Sequence, residues 1–203
     1  MYENEIGQVA ARLRNSDSVL FVTGAGLSAD SGLPTYRGVG GMYEVDNTED
    51  GLPIEELLSG EMIRSRPELT WKYLARIANA CQGASLNRGH EVIAQFEQSI
   101  SRTWVLTQNV DGFHRAAGSQ NLIDIHGDMH ELWCTVCPWQ DWVTDIDAVS
   151  MPPRCPECDR IVRPRVVLFG ELLPFDKVDT LSAELEQGFD RRGWHQCPVS
   201  VHL

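Results

Sequence analysis

Thr23-Gly-Ala-Gly-Leu-Ser-Ala-Asp-Ser-Gly-Leu-Pro-Thr-Tyr-Arg37 follows directly on the apolar run Ser18-Val-Leu-Phe-Val-Thr23 in this chain of 203 residues. The apolar run predicts a buried strand, and the small residues after it predict a glycine loop. In such a loop, backbone N–H groups at the start of the next helix can approach a pyrophosphate. Arg37 adds a cation that could meet a phosphate. The alternative is a tight turn without a ligand. The small residues that fit a loose dinucleotide-binding pattern are Gly24, Gly26 and Ala29.

The rest of the chain alternates between predicted helices and strands. Apolar periodicity predicts helices over 3–15, after Pro67, over 90–98 and over 179–187, and strands over 18–23, 103–107, 121–125 and 165–169. The glycine-rich segment 39–60 predicts a long loop with a short helix around 54–58. This alternation predicts an α/β fold with a mainly parallel sheet and a site at the carboxyl ends of the strands.

Composition and charge narrow the class of protein. A hydrophobic content of 42% is enough for a substantial core, and the formal net charge of −12 does not favour attraction to nucleic acid. The acidity suits a basic peptide partner, or it serves only solubility. The apolar runs are too short to span a bilayer, and the start of the chain has no signal-peptide pattern, so we expect a cytoplasmic protein without a membrane partner. The sequence makes no prediction of oligomeric state.

Four of the six cysteines form two close pairs. Cys134-Thr-Val-Cys137 is followed, after seventeen residues, by Cys155-Pro-Glu-Cys158. Two such pairs predict one tetrahedral Zn²⁺ site, and four sulfur ligands leave no open position for water, so the metal would be structural. The alternative is four reduced, buried cysteines. Cys81 and Cys197 are left outside the pairs.

Two further segments follow predicted strands. Thr107-Gln-Asn-Val-Asp-Gly-Phe-His114 brings an amide pair and a carboxylate to the edge of the sheet, where they could bond a carboxamide or a ribose. The alternative is an Asx-rich turn. Asp124-Ile-His-Gly127 places a histidine at a strand end, where a neutral imidazole could accept a hydroxyl proton, although a lone histidine can equally be structural. The histidines without such a setting are His90, His114 and His130.

Arg163-Pro-Arg-Val-Val-Leu-Phe-Gly-Glu171 predicts a strand that ends in a tight turn. Such a strand could offer its edge to an extended peptide, which would pair with the backbone. An ordinary core strand explains the same pattern.

In this order, the segments resemble the sirtuin family over about Val9 to Asp190. The resemblance implies a Rossmann-like NAD-binding domain with a small zinc-ribbon insert, NAD as a consumed co-substrate, and an acyl-lysine protein or peptide bound between the two. The implied divisions are 1–38, 88–130 and 163–190 for the NAD-binding domain, 39–87 for a cofactor-loop and helical insert, 131–162 for the zinc ribbon, and 191–203 for an aberrant tail.

The resemblance also implies residue roles. His126 would be the general base that helps a ribose hydroxyl react after nicotinamide has left, and the products would be free lysine and O-acyl-ADP-ribose. The residues implied to bind NAD are Gly24, Ala25, Gly26, Arg37, Gln108, Asn109 and Asp111. The residues implied to pair with the substrate backbone are Val167, Leu168 and Phe169.

The acyl group is less directly implied. The spacing of Tyr73 and Arg76 resembles that of sirtuins which remove acidic acyl groups, because a hydroxyl and a guanidinium can bind a carboxylate together. Leu58, however, stands where those enzymes carry a small residue, so we expect deacetylation. Desuccinylation or demalonylation, mono-ADP-ribosyl transfer and an inactive zinc-stabilised fragment are the alternatives.

After Asp190 the chain departs from the family pattern of an apolar strand and a Gly-Thr-Ser turn. Back-translated with suitable synonymous codons and shifted by one base, 191–203 would encode Val-Val-Gly-Gly-Thr-Ser-Ala-Leu-Phe-Pro-Tyr. We therefore hypothesise a single-base frameshift, which the nucleotide sequence beyond Asp190 tests. A chain shortened in this way would lack a wall of the cofactor site, so we expect it to bind NAD poorly and to have little activity.

Overall fold

The computed structural model describes residues 3–33, 48–81, 83–143 and 151–189. Its elements are α1 Glu3–Arg14, β1 Ser18–Thr23, α2 Ala25–Ala29, α3 Ile54–Leu57, α4 Gly60–Ser65, α5 Pro67–Ala80, α6 Arg88–Ser99, β2 Arg102–Thr107, α7 Phe113–Ala116, β3 Leu122–Asp124, β4 Gly127–Cys134, β5 Gln140–Trp142, β6 Val162–Val166 and α8 Phe175–Glu186. Among the described helices, none combines the length and the apolar character that a membrane span requires. Arg37 and the segment 190–203 lie outside the described residues.

A parallel sheet forms the first layer, with strand order β1-β2-β3. This confirms the prediction of an α/β fold with a parallel sheet. Thr23 of β1 lies opposite Thr107 of β2, and Thr107 lies opposite Asp124 of β3. The three strands therefore end at one level, and the loops that follow them meet at the same edge of the sheet.

A local sequence signal explains where α6 begins. Asn87 caps α6, because its side chain accepts from Gly89 N at 2.8 Å while Asn87 N donates to His90 Nδ1 at 3.2 Å. This capping box starts α6 two residues before the predicted start. The prediction for α8 began four residues too late, because the first turn exposes its apolar residue, Phe175, which is 74% accessible and so belongs to no buried stripe.

A second sheet is antiparallel, with strand order β5-β4-β6. The predicted strand over 165–169 was therefore wrong in extent, since β6 runs from Val162 to Val166, and it lies in this antiparallel sheet rather than in the parallel one. The sequence did not predict the start of this strand, because Arg163 and Pro164 are not typical of a buried strand. Arg163 is nevertheless buried, since its guanidinium forms an ion pair with Glu171. The domain limits set out above stay a prediction.

The main core joins helices α3, α4 and α5 to the second sheet. Trp71 of α5 is buried, and its indole N–H donates to the carbonyl oxygen of Val162 at 2.9 Å. Beside it, the buried hydroxyl of Thr70 donates to Leu57 O at 2.8 Å. Polar groups inside this core are thus paired, as burial requires.

Replacing Thr70 with valine tests that pairing, because the two side chains have nearly the same shape. We expect Thr70→Val to lower the free energy of unfolding by about 1–3 kcal/mol, since the buried carbonyl of Leu57 loses its donor. The measurement is urea denaturation followed by circular dichroism. Thr180→Val is the matched control, because the Thr180 hydroxyl donates to Asp176 O at an exposed position. Equal losses in the two variants would contradict the prediction.

Candidate active site and metal centre

The glycine loop leaves the end of β1 and opens α2. Gly24 is the N-cap residue of this helix, and Ala25 and Gly26 are exposed in its first turn. A Cβ built on Gly24 or Gly26 would have no atom within 4 Å. A ligand can therefore approach the backbone here, at a helix start where N–H groups lack intrahelical partners.

The loop after β2 is bonded to the glycine loop. The amide Nδ2 of Asn109 donates to Gly24 O and to Ser28 Oγ, both at 3.0 Å. The Ser28 hydroxyl in turn donates to Asp111 Oδ2 at 2.6 Å, and Asp111 Oδ1 accepts from Phe113 N at 3.0 Å. The amide and the carboxylate predicted from the sequence are thus held in fixed orientations at the edge of the sheet.

His126 lies beside the same loop. Its Nδ1 is 3.1 Å from the carbonyl oxygen of Gln108, and Gln108 N donates to Thr23 O at 3.1 Å. Because a carbonyl oxygen only accepts, Nδ1 carries the proton in the neutral imidazole, and Nε2 is left as the proton acceptor. The structure therefore brings Gln108, Asn109, Asp111 and His126 together with the glycine loop.

The four paired cysteines form one cluster. Their sulfur atoms all lie within 4.8 Å of one another, and the Cys134–Cys158 and Cys137–Cys155 pairs are each 3.5 Å apart. A tetrahedral Zn²⁺ with Zn–S bonds of about 2.3 Å would separate its sulfur ligands by about 3.8 Å, so the cluster can hold one zinc ion. Burial alone would raise the pKa of the Cys134 thiol, but N–H groups of Cys137 and Val136 bond its sulfur and bring the pKa down to about 6.

The segment after β6 is held by bonds within the chain. Val167 N donates to His126 O at 2.9 Å, Phe169 N to Leu58 O at 3.0 Å, and Leu168 N to a carboxylate oxygen of Glu171 at 2.9 Å. Glu171 also binds the Arg163 guanidinium through both oxygens, at 2.6 and 2.8 Å. All three N–H groups predicted to pair with a substrate are thus already donating, and Val167 touches the backbone of the predicted base.

Tyr73 and Arg76 contact the segment before α3. The Tyr73 hydroxyl donates to Asp50 Oδ2 at 2.6 Å, and the Arg76 guanidinium donates to Glu49 Oε1 at 2.5 Å. Lys72 binds both carboxylates at 2.6 Å. The donors that could bind an acidic acyl group therefore hold carboxylates of the chain itself.

Comparison with known proteins identifies the family of the chain. The model of the Sir2 family matches residues 24–188, which include the glycine loop, the Asn109 loop, His126 and the cysteine cluster. The chain belongs to the Sir2 family. Members of this family are also called sirtuins, so the resemblance drawn from the sequence is confirmed.

Two Sir2 relatives are named for their activity. The chain is 51% identical to NAD-dependent protein deacylase 2 of Pseudomonas aeruginosa, over 91% of this chain and 73% of that protein. It is 39% identical to NAD-dependent protein deacylase 1 of Caldanaerobacter subterraneus subsp. tengcongensis, over 88% and 71%. A solved complex of a Sir2 homologue with NAD is similar with a TM-score of 0.77 at 33% identity, over 89% of this chain and 68% of that one.

Sequence reasoning missed several residues that build the Sir2 site. Ser28 bonds both Asn109 and Asp111. It lies in the glycine loop, where its small hydroxyl side chain could have indicated this role. His114 was set aside, yet its Nε2 lies 2.9 Å from Thr23 Oγ1, and burial lowers its pKa to about 4, so it stays neutral under Thr23. Because Thr23 lies far from His114 in the sequence, no local pattern indicated this contact.

Loss of one cysteine tests the metal centre. We expect Cys155→Ser to lose bound zinc and to lower the melting temperature, because three thiolates hold the ion less tightly than four and the second sheet is built around the cluster. Metal analysis and thermal unfolding measure the two effects. Cys81→Ser is the control, since Cys81 lies outside the cluster. Full zinc content in Cys155→Ser would contradict the assignment.

The Arg163–Glu171 ion pair should make the free energy of unfolding depend on pH. Burial alone would raise the pKa of Glu171, but the bonds from Arg163 and Leu168 N lower it below its ordinary value of 4.5. A depressed folded-state pKa stabilises the protein above pH 4.5 and loses that contribution as the pH falls through the folded value. We expect Glu171→Gln to cost about 2 kcal/mol at pH 7 and less near pH 3, measured by urea unfolding. A cost that does not change with pH would contradict this.

Proposed function

We propose that this Sir2 protein removes acetyl groups from lysine side chains and consumes NAD in doing so. The observation that carries the proposal is the setting of His126, whose Nδ1 is fixed by Gln108 O so that Nε2 remains an acceptor, while Gln108 N is bonded to Thr23 O at the start of the glycine loop. The names of the relatives as NAD-dependent protein deacylases support it. So does a similar Sir2 complex with a deacetylated peptide and 3'-O-acetyl ADP ribose, with a TM-score of 0.76 at 28% identity over 90% of this chain and 72% of that one.

The residues of the described edge fit NAD. Exposed N–H groups at Ala25 and Gly26 suit its phosphates, and the carboxylate of Asp111 and the amide of Asn109 suit ribose and carboxamide groups. Bound NAD supplies the ribose carbon that accepts the acyl oxygen as nicotinamide leaves. His126 Nε2 would take the proton of a nearby ribose hydroxyl as that hydroxyl attacks the acyl carbon, with Gln108 O stabilising the charge that develops on the ring, and water would then release the free lysine. Arg37, a proposed phosphate ligand, lies outside the described residues.

The substrate is proposed to lie along the segment 167–169. Because the three N–H groups there donate within the chain, a peptide would bond the carbonyl oxygen of Val167 and pack on exposed Phe169. The contact between Val167 N and His126 O would then bring a bound peptide close to the proposed base.

A neutral acyl group is favoured over an acidic one. Tyr73, Arg76 and Lys72 each already donate to Asp50 or Glu49. A succinyl carboxylate would have to displace these carboxylates or face them as a like charge, which is costly. Leu58 is buried in the core, and its apolar side chain fills space that a smaller residue would leave open.

The reduced cysteine cluster also suits the predicted cytoplasm, where thiols stay reduced.

Replacing the proposed base tests this function. We expect the wild-type chain to convert NAD, water and an acetyl-lysine peptide to nicotinamide, free lysine and O-acetyl-ADP-ribose at the low rate expected from the departure after Asp190, and to favour that peptide about tenfold or more over its succinyl analogue. His126→Ala should lower the rate about 10²–10⁴-fold, because proton transfer is lost, and it should keep NAD binding. Mass spectrometry follows the products, and calorimetry follows binding.

Other outcomes would each contradict the proposal in a different way. Label from NAD on the protein, without O-acetyl-ADP-ribose, would favour mono-ADP-ribosyl transfer. A lack of binding at millimolar NAD would favour the inactive zinc-stabilised fragment, and would agree with the expectation drawn from the unusual segment 191–203.

A further inference from the structure

An irregular stretch of β4 places His130 next to the Asn109 loop. Regular pairing with β6 stops at Asp128 and resumes at Leu132, so the strand bulges between them. Within this bulge, Asp128 Oδ1 accepts from both His130 N at 2.9 Å and His130 Nδ1 at 2.8 Å. Bulges of this kind re-aim side chains next to functional sites.

The Asp128–His130 pair lies against Gly112. Gly112 has a φ of 72°, and a Cβ built on it would lie 3.2 Å from Asp128 Oδ2 and 3.3 Å from His130 Nδ1. Gly112 directly follows Asp111, the carboxylate held by Ser28 and Phe113 N. The position of the pair therefore limits where the backbone of Asp111 can lie.

The ring of His130 also contacts β5, the neighbouring strand in the same sheet. The Trp142 indole of β5 stacks on the imidazole, with ring centroids 5.9 Å apart and planes 18° apart. The backbone adds a bond from Val143 N to His130 O at 2.8 Å. Trp142 thus holds one face of the ring while Asp128 holds its edge.

Electrostatics favour this arrangement. The Asp128 side chain is 3% exposed, and the charged groups around it are His130 and Arg115, whose Nε is 3.8 Å away. The hydrogen bond to Asp128 raises the pKa of His130, burial opposes this, and the charge of Asp111 adds to the rise. A buried carboxylate that is hydrogen-bonded to an imidazole resists displacement, because the carboxylate would be costly to leave without its donor.

We propose that His130 is a positioning residue, which transmits the order of the cysteine-bearing sheet from Trp142 through Asp128 and Gly112 to Asp111. The inference rests on the proposed role of Asp111 in NAD binding and extends it, since the metal-bearing sheet then determines cofactor affinity as well as stability. The described contacts of His130 are with Asp128, with Trp142 and with the position of Gly112, in one of the segments around the proposed NAD site. It acts by fixing the loop that carries Asp111.

Variants of the two rings test the proposal separately. Trp142→Leu removes the stack, and His130→Phe keeps a flat ring against Trp142 but loses the N–H donor to Asp128. His130→Asn retains a side-chain N–H that can reach Asp128, so it is the rescuing variant. Trp133→Leu is the matched control, because Trp133 is an exposed tryptophan of the same sheet that lies under Arg165.

All variants are studied as zinc-loaded full chains, with metal content measured first. We expect Trp142→Leu and His130→Phe to weaken NAD binding about fivefold or more by calorimetry, while the KM for the acetyl-lysine peptide is unchanged. His130→Asn should recover part of the loss, and Trp133→Leu should bind NAD as the wild type does. In the wild type, saturating NAD should shift the nuclear magnetic resonance signals of the His130 ring, by the reciprocity of coupled equilibria.

The contrary results separate the two proposals. If the wild type binds NAD and Trp142→Leu binds it as tightly as Trp133→Leu does, the positioning role is wrong and the proposed function stands. Unchanged His130 signals on NAD binding would also overturn the positioning role. If the wild type binds no NAD at millimolar concentration, the proposed function fails, and this inference fails with it.

Discussion

Three parallel strands end at one level because Thr23 pairs with Thr107 and Thr107 with Asp124. The loops that follow must then share one edge of the sheet, and they carry the glycine loop, Asn109 with Asp111, and His126. A shift of register by one residue in any strand would turn its side chains to the other face and separate these groups. The site of this Sir2 protein therefore depends first on backbone pairing, and only then on side-chain chemistry.

Polar contacts between the loops turn this shared edge into a fixed arrangement. One amide, Asn109, binds the backbone of the first loop and the hydroxyl of Ser28, which binds Asp111 of the second. A network of this kind specifies one geometry, since each member that loses its partner leaves another polar group unsatisfied. A cofactor that enters meets groups already oriented, so less conformational freedom is lost on binding.

The sequence predicted those parts of the structure whose signals are local. The strand Ser18–Thr23 has the bounds expected from its apolar run and the glycine after it, and the cysteine spacing was enough to bring four sulfurs together. Pairings that are distant in the chain had no such signal. The first residues of β6 were not predicted because Arg163 is charged and its partner Glu171 lies beyond the strand. Nothing near Tyr73 in the sequence indicated that Asp50 would accept a hydrogen bond from its hydroxyl. Tertiary pairing decided these features.

Two residues, Ile125 and His126, join the end of β3 to the start of β4, so the proposed base lies directly between the parallel sheet and the sheet that carries the cysteines. Gly127 directly follows His126 and begins β4, with a φ of 89°. A side chain there would collide with the carbonyl oxygen of Arg165 in β6, so only glycine allows the strands to approach this closely. A displacement of β4 or β6 would therefore also displace His126, which directly precedes Gly127. A cluster with no open metal position can influence chemistry in this way, by determining where the strand that follows the base must run.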